Sequence, residues 1–102
     1  MTLDDLAARL DEAGAELTTA AHALRRFDPG AAAFGGEAAG RLGDLGRDLH
    51  RSWLVAIENR AREAAAHGAR MGGTAEAVRR AAAGYTEADE AARRQAQRAG
   101  EL

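Results

Sequence analysis

The chain has 102 residues, of which 28 are Ala and only 15 are Leu, Ile, Val or Phe, so it holds one small domain with a thin core. The absence of Cys excludes disulfides, Cys-ligated zinc, iron–sulfur clusters and thiol catalysis. All 14 basic residues are Arg, and residues 1–40 and 41–102 carry −4 and +2, with nearly every Arg close to an acid. That is not the basic footprint a nucleic-acid binder needs.

The acidic start, Met1-Thr2-Leu3-Asp4-Asp5-Leu6, lacks the continuous apolar stretch of a Sec-type signal, and nowhere do 18 apolar residues run together as a membrane span requires. Leu3, Leu6, Leu10, Ala13, Leu17, Ala20, Leu24 and Phe27 follow one another at steps of three and four, the spacing of a helical seam. Thr2 and Asp5 suit a capping box, and acids in the first turn with Arg25 and Arg26 in the last complement the helix dipole. A first helix is therefore expected from about Leu3 to Phe27. Asp28-Pro29-Gly30 ends it, since Pro disfavours helical geometry in the residue before it. The Asp28-Pro29 pair also suits an N-cap and first helical position, so Ala31 to Phe34 are expected to form one helical turn closed by Gly35-Gly36.

A second seam runs through Leu42, Leu45, Leu49, Trp53 and Ile57, then Ala61, Ala64, Gly68, Met71, Ala75, Val78, Ala82 and Tyr85. It predicts a long second helix over about 38–94, with Gly72-Gly73 as its weak point and a frayed tail over 95–102. Acid-to-Arg spacings of four, Glu37–Arg41, Glu58–Arg62, Glu76–Arg80, Asp89–Arg93 and Glu90–Arg94, are expected to line its solvated faces. The fold class is all-α, an antiparallel helical hairpin. A first helix of about 25 residues cannot cover a second more than twice its length. Either the second helix folds back at Gly72-Gly73, or a second hairpin, in a homodimer or heterodimer, completes a four-helix bundle; the unbroken seam favours the partner.

The residues predict neither an enzyme nor a cofactor or metal site. His22, His50 and His67 are far apart and none sits in a ligand motif. Ser52, the only serine, lies two residues from His50 and so on another helix face, which rules out a triad. Gly35-Gly36 is too short for a phosphate-binding loop. Trp53 reads as a knob in the helix contact, with an interface anchor as the alternative. Tyr85 and Asp89, four apart, share a face near the end of the seam.

These features together resemble the type VII (ESX) secretion substrates of the WXG-type helical-hairpin superfamily of actinobacteria. The resemblance rests on the length, the Ala-rich hairpin and Tyr85-Thr86-Glu87-Ala88-Asp89, which matches the YxxxD motif of that group. Ala33-Phe34-Gly35-Gly36, the mid-helix Trp53 and Ala83-Gly84-Tyr85 are most similar to the EspC-like targets. The Trp-Xaa-Gly turn of the smaller members is missing, because Leu54-Val55 follows Trp53. The resemblance implies a non-enzymatic protein that is cytoplasmic before export and leaves by a route independent of a signal peptide. It also implies that Tyr85 and Asp89 form part of the export signal and that the type VII machinery is a partner. The competing reading is a cytoplasmic coiled-coil adaptor or scaffold in which the motif is accidental.

Overall fold

A computed structural model describes residues 1–101. Two helices, α1 (Leu3–Arg26) and α2 (Gly40–Gly100), run antiparallel and are joined by a linker containing a single 3-10 turn, Ala31–Phe34. No strand occurs among the described residues. The molecule is a rod, 94 Å long and about 15 Å across, because α2 alone sets its length.

The capping box at the start of α1 forms as its sequence predicts. The Asp5 N–H donates to the Thr2 hydroxyl at 3.1 Å and the Thr2 N–H donates to the Asp5 carboxylate at 3.0 Å. Those bonds hold the Asp5 carboxyl below its ordinary range, the Thr2 backbone N–H being the larger influence. The helix ends one residue before the expected boundary, with Phe27 as an extended C-cap. Asp28 is not an N-cap. Gly30 occupies the position before the 3-10 turn, and Asp28 accepts the Gly30 N–H at 2.8 Å, which closes an Asx-type turn over Pro29. Gly35 closes the 3-10 turn at φ 79°, left-handed geometry that a side chain would resist.

The second helix begins two residues later than predicted and runs six further than Arg94. The segment taken for a frayed tail is helical to Gly100, since Gln95, Ala96, Gln97, Arg98 and Ala99 are all good helix formers; Leu102 lies outside the described residues. It does not break at Gly72-Gly73. Two helix-interior glycines cost about 1 kcal/mol each relative to Ala, but α1 lies alongside this point, and packing outweighs propensity.

The contact between the helices has the predicted period; on α2 its centre lies on residues of the predicted seam, and on α1 it lies on other residues. Among the described residues the buried apolar side chains are Ala7, Ala21, Ala61 and Ala75. Gly14 and Gly68 are buried between them. Each helix therefore presents a small residue every seventh position: 7, 14 and 21 on α1, and 61, 68 and 75 on α2. The backbones meet at the glycines. A Cβ on Gly14 would stand 2.8 Å from the Gly68 carbonyl oxygen, and one on Gly68 would stand 2.7 Å from the Gly14 oxygen. Stepping one heptad either way from that crossing sets Ala7 opposite Ala75 and Ala21 opposite Ala61.

The large residues fall to the side. Leu10, Leu17 and Leu24 line one flank of the contact, with Ile57, Ala64, Met71 and Val78 beside them on α2, all half-buried. The other flank carries Asp11, Thr18 and Arg25 facing Glu58 and Arg79. There Arg25 pairs with Glu58 at 3.1 Å and Arg79 with Asp11 at 2.5 Å. The hairpin thus has an apolar side and an ion-paired side. Of the five expected acid-to-Arg pairs only Glu58–Arg62 forms, at 3.3 Å. Asp44–Arg47, Asp48–Arg51, Arg60–Glu63 and Glu76–Arg79 form at shorter helical spacings instead.

Candidate partner-binding surface

From the Gly14–Gly68 crossing, α1 lies against residues 56–79 of α2, so α2 projects beyond it at both ends. Those two projections carry the features that the sequence singled out.

The first projection, 40–55, is covered on one side by the linker. Gly43 and Gly46 are buried there, and a Cβ on Gly46 would stand 2.7 Å from the Gly36 nitrogen. The Arg47 guanidinium donates to the Gly36 carbonyl. Three of the four aromatic residues gather at this end. Phe27 and Phe34 lie 5.7 and 6.3 Å from Trp53, centroid to centroid and tilted, which is favourable edge-and-face geometry. Phe34 also lies 5.8 Å from the His50 ring. His50 Nε2 is 2.7 Å from Asp28 Oδ1, and because a carboxylate only accepts, that nitrogen carries the proton. The imidazole contact, followed by the Gly30 N–H, holds the Asp28 carboxyl below its ordinary range. Trp53 is therefore a half-buried knob within the hairpin, packed against the linker and the end of α1. The Asp28, Pro29, Gly30, Phe34, Gly35 and Gly36 segment is the clasp that holds it.

The same projection leaves Leu42, Leu45 and Leu49 uncovered, at 68, 56 and 48% exposure. The second seam therefore does not enter the hairpin contact through these leucines. Gly43 and Gly46 take the covered side because the linker backbone approaches α2 too closely for larger residues. Leu3 and Leu6, at the opposite end of α1, are also exposed.

The second projection, 80–100, is exposed at every described residue beyond Ala82. Tyr85 is 67% exposed and Asp89 is exposed one turn on. Among the described residues neither makes a side-chain hydrogen bond. Ala81, Gly84, Tyr85 and Ala88 line a shallow apolar dent in this otherwise bare helix.

His22, His50 and His67 remain apart, and no three His, Asp or Glu side chains among the described residues come together as a metal site would require. No described helix is long and apolar enough to cross a membrane. No family model, curated protein or solved structure matches the chain.

Sequence reasoning placed Ala61, Gly68 and Ala75 on the second seam but missed their counterparts on α1, Ala7, Gly14 and Ala21, which were available as a repeat of seven. The Asp28–His50 and Arg25–Glu58 pairs join residues 22 and 33 apart, and no local spacing signals them.

Proposed function

We propose that this protein is a non-enzymatic helical hairpin exported by a type VII (ESX) secretion system, or serving as partner for substrates of one, with Tyr85 and Asp89 as its export signal. In this reading a second helical hairpin lies on its apolar side and completes a four-helix bundle, and the type VII machinery reads the projecting end of α2. The observation that carries the proposal is the position of the Tyr-Xaa-Xaa-Xaa-Asp pair: one helical turn apart, exposed, and on a stretch of α2 clear of α1. A signal that a receptor must read is best carried on rigid helix away from the fold's own contacts. The exposed leucines and the half-buried Leu10, Leu17, Leu24 and Met71 support a helical partner, because an open apolar flank is stabilised by burial.

The test separates signal from fold. Neither side chain packs within the hairpin, so Asp89→Ala and Tyr85→Ala should each change its stability by less than about 0.5 kcal/mol. In a host with an active type VII system, both variants should keep wild-type helicity and intracellular level while disappearing from the culture supernatant. Export of both variants at the wild-type level would refute the signal. A wild-type protein that never leaves the cell would favour the cytoplasmic adaptor.

A further inference from the structure

We infer that the part of the export machinery that reads Tyr85 and Asp89 engages them with an α-helix crossing α2 at Gly84 in backbone-to-backbone contact, which makes Gly84 a third determinant of the signal. The inference rests on the reading of Tyr85 and Asp89 as an export signal. It names the kind of element that meets them and the point of closest approach.

The first argument is a repeat within the chain. Gly14 and Gly68, the two glycines at the crossing of α1 and α2, each have Ala seven residues before and seven after: Ala7 and Ala21, Ala61 and Ala75. Of the 12 glycines one other has this setting, Gly84, between Ala77 and Ala91. Positions seven apart drift by only about 20° around a helix, so each triplet lies along one line of its surface. In the first two triplets that flat line is what lets the backbones meet, with a Cβ on either glycine standing 2.7 or 2.8 Å from the carbonyl oxygen of the other. The third triplet is exposed at all three residues, and a Cβ on Gly84 would meet nothing within 4 Å. Within the hairpin Gly84 only weakens the helix, so the use for its missing side chain lies outside the hairpin.

The second argument is what surrounds that line. Ala81, Tyr85 and Ala88 stand on one side of Gly84 and with it line the shallow apolar dent. Arg80 and Glu87 stand on the other side, both exposed. The crossing thus has an apolar flank and a charged flank, as the contact between α1 and α2 has. A helix seated on Gly84 lays an apolar side chain in the dent against the Tyr85 ring. Asp89, one turn beyond Tyr85, is then met by an Arg or Lys of the same partner. Tyr85 is read by packing and Asp89 by charge, and Gly84 sets how closely the reading helix can approach either.

The third argument is hand. From Gly68 the apolar neighbours stand four before and three after, Ala64 and Met71; from Gly84 they stand three before and four after, Ala81 and Ala88. On α1 the leucines follow the Gly68 pattern, Leu10 four before and Leu17 three after Gly14. A first helix laid on Gly84 as it lies on Gly68 would therefore set Leu10 and Leu17 against Arg80 and Glu87. The chain's own first helix does not fit this crossing, and the occupant is a helix of another protein.

Gly84→Ala adds one methyl group at an exposed helix position, so it should leave the hairpin folded and its helicity unchanged or higher. Gly73→Ala adds the same methyl to the same helix, where a Cβ also meets nothing within 4 Å, and it lies off the line of Ala77, Gly84 and Ala91. In a host with an active type VII system, Gly84→Ala should keep its intracellular level while its supernatant level falls at least tenfold. Gly84→Leu should be absent from the supernatant, and Gly73→Ala should be exported like wild type. Export of both Gly84 variants at the wild-type level would overturn the crossing. An equal loss of export in Gly73→Ala would also overturn it, because a stiffer helix would then be the cause. Asp89→Ala, run alongside, separates the two readings. If Asp89→Ala is retained and Gly84→Leu is exported, the signal stands without the crossing; if Gly84→Ala is retained and Asp89→Ala is exported, the crossing stands and Asp89 is not part of the signal. A wild-type protein that never leaves the cell removes both.

Discussion

Residues 56–79 and 80–100 of α2 are one continuous helix with two kinds of surface. Where α1 lies alongside, every seventh residue is Ala or Gly and is buried, and the backbones approach closely enough that a single Cβ has no room. Beyond Ala82 every described residue is exposed, and a Cβ on Gly84 or Gly100 would meet nothing within 4 Å. The same residue type does opposite work in the two regions. At positions 14 and 68 glycine is required by space; at 84 and 100 it only weakens the helix. Composition cannot distinguish them, and only the neighbouring helix does.

The comparison also bears on how the protein holds itself together. The paired stretch is stabilised by close backbone contact, half-buried leucines on one flank and two inter-helix ion pairs on the other. The projecting stretch has only helix propensity and its continuity with the helical turns of the paired stretch.

The largest expected effect lies in the paired stretch. Gly14→Leu forces a branched side chain into the Gly68 backbone and should destabilise the hairpin by about 3 kcal/mol, lowering its melting temperature by roughly 10–20 °C. Thermal unfolding followed by circular dichroism measures this. A shift of only a few degrees would mean that the helices are not in close contact at that crossing.

A smaller effect concerns pH. The Asp5, Asp28 and Glu58 carboxyls are each held below their ordinary range by the contacts they accept: Thr2 for Asp5, His50 then Gly30 for Asp28, and Arg25 ahead of Arg62 for Glu58. A carboxyl whose folded pKa is depressed contributes stability above its unfolded pKa and loses it as pH falls through the folded value. The hairpin's melting temperature should therefore decline as pH drops below about 4. A melting temperature that rises through that range would contradict the three contacts. All three groups lie at the ends of α1 or in the linker and paired stretch, so the far projection should respond little.

Much of the fold was legible in the sequence. Thr2 and Asp5 marked the start of α1, Asp28-Pro29-Gly30 its end, and the seam's unbroken phase across Gly72-Gly73 the continuity of α2. On α1 the centre of the contact was misread, because Leu3, Leu6, Leu10 and Leu17 are the bulkiest residues near it and bulk was equated with burial. In a close-packed antiparallel pair the central position belongs to the smallest residues, and the leucines next to them become flanks. Ala7, Gly14 and Ala21 carried that information as a repeat of seven. The clasp at the linker was only half legible: Phe34 and Trp53 stood out, but His50 reaching back to Asp28 depends on how the linker folds over α2. Tyr85 and Asp89 were found by spacing, and their exposure follows from the short reach of α1.

The central claim is that Gly68 sits at a backbone-to-backbone contact while Gly73, five residues on in the same helix, faces open space. Gly68→Ala and Gly73→Ala add the same methyl group and bring the same gain in helix propensity, about 1 kcal/mol. Parallel urea or thermal unfolding of the two variants is the most direct test. The account predicts opposite signs: Gly73→Ala raises the melting temperature, and Gly68→Ala lowers it as the new Cβ pushes against the Gly14 carbonyl. If both substitutions stabilise the protein equally, the close contact does not exist and the packing described here is wrong.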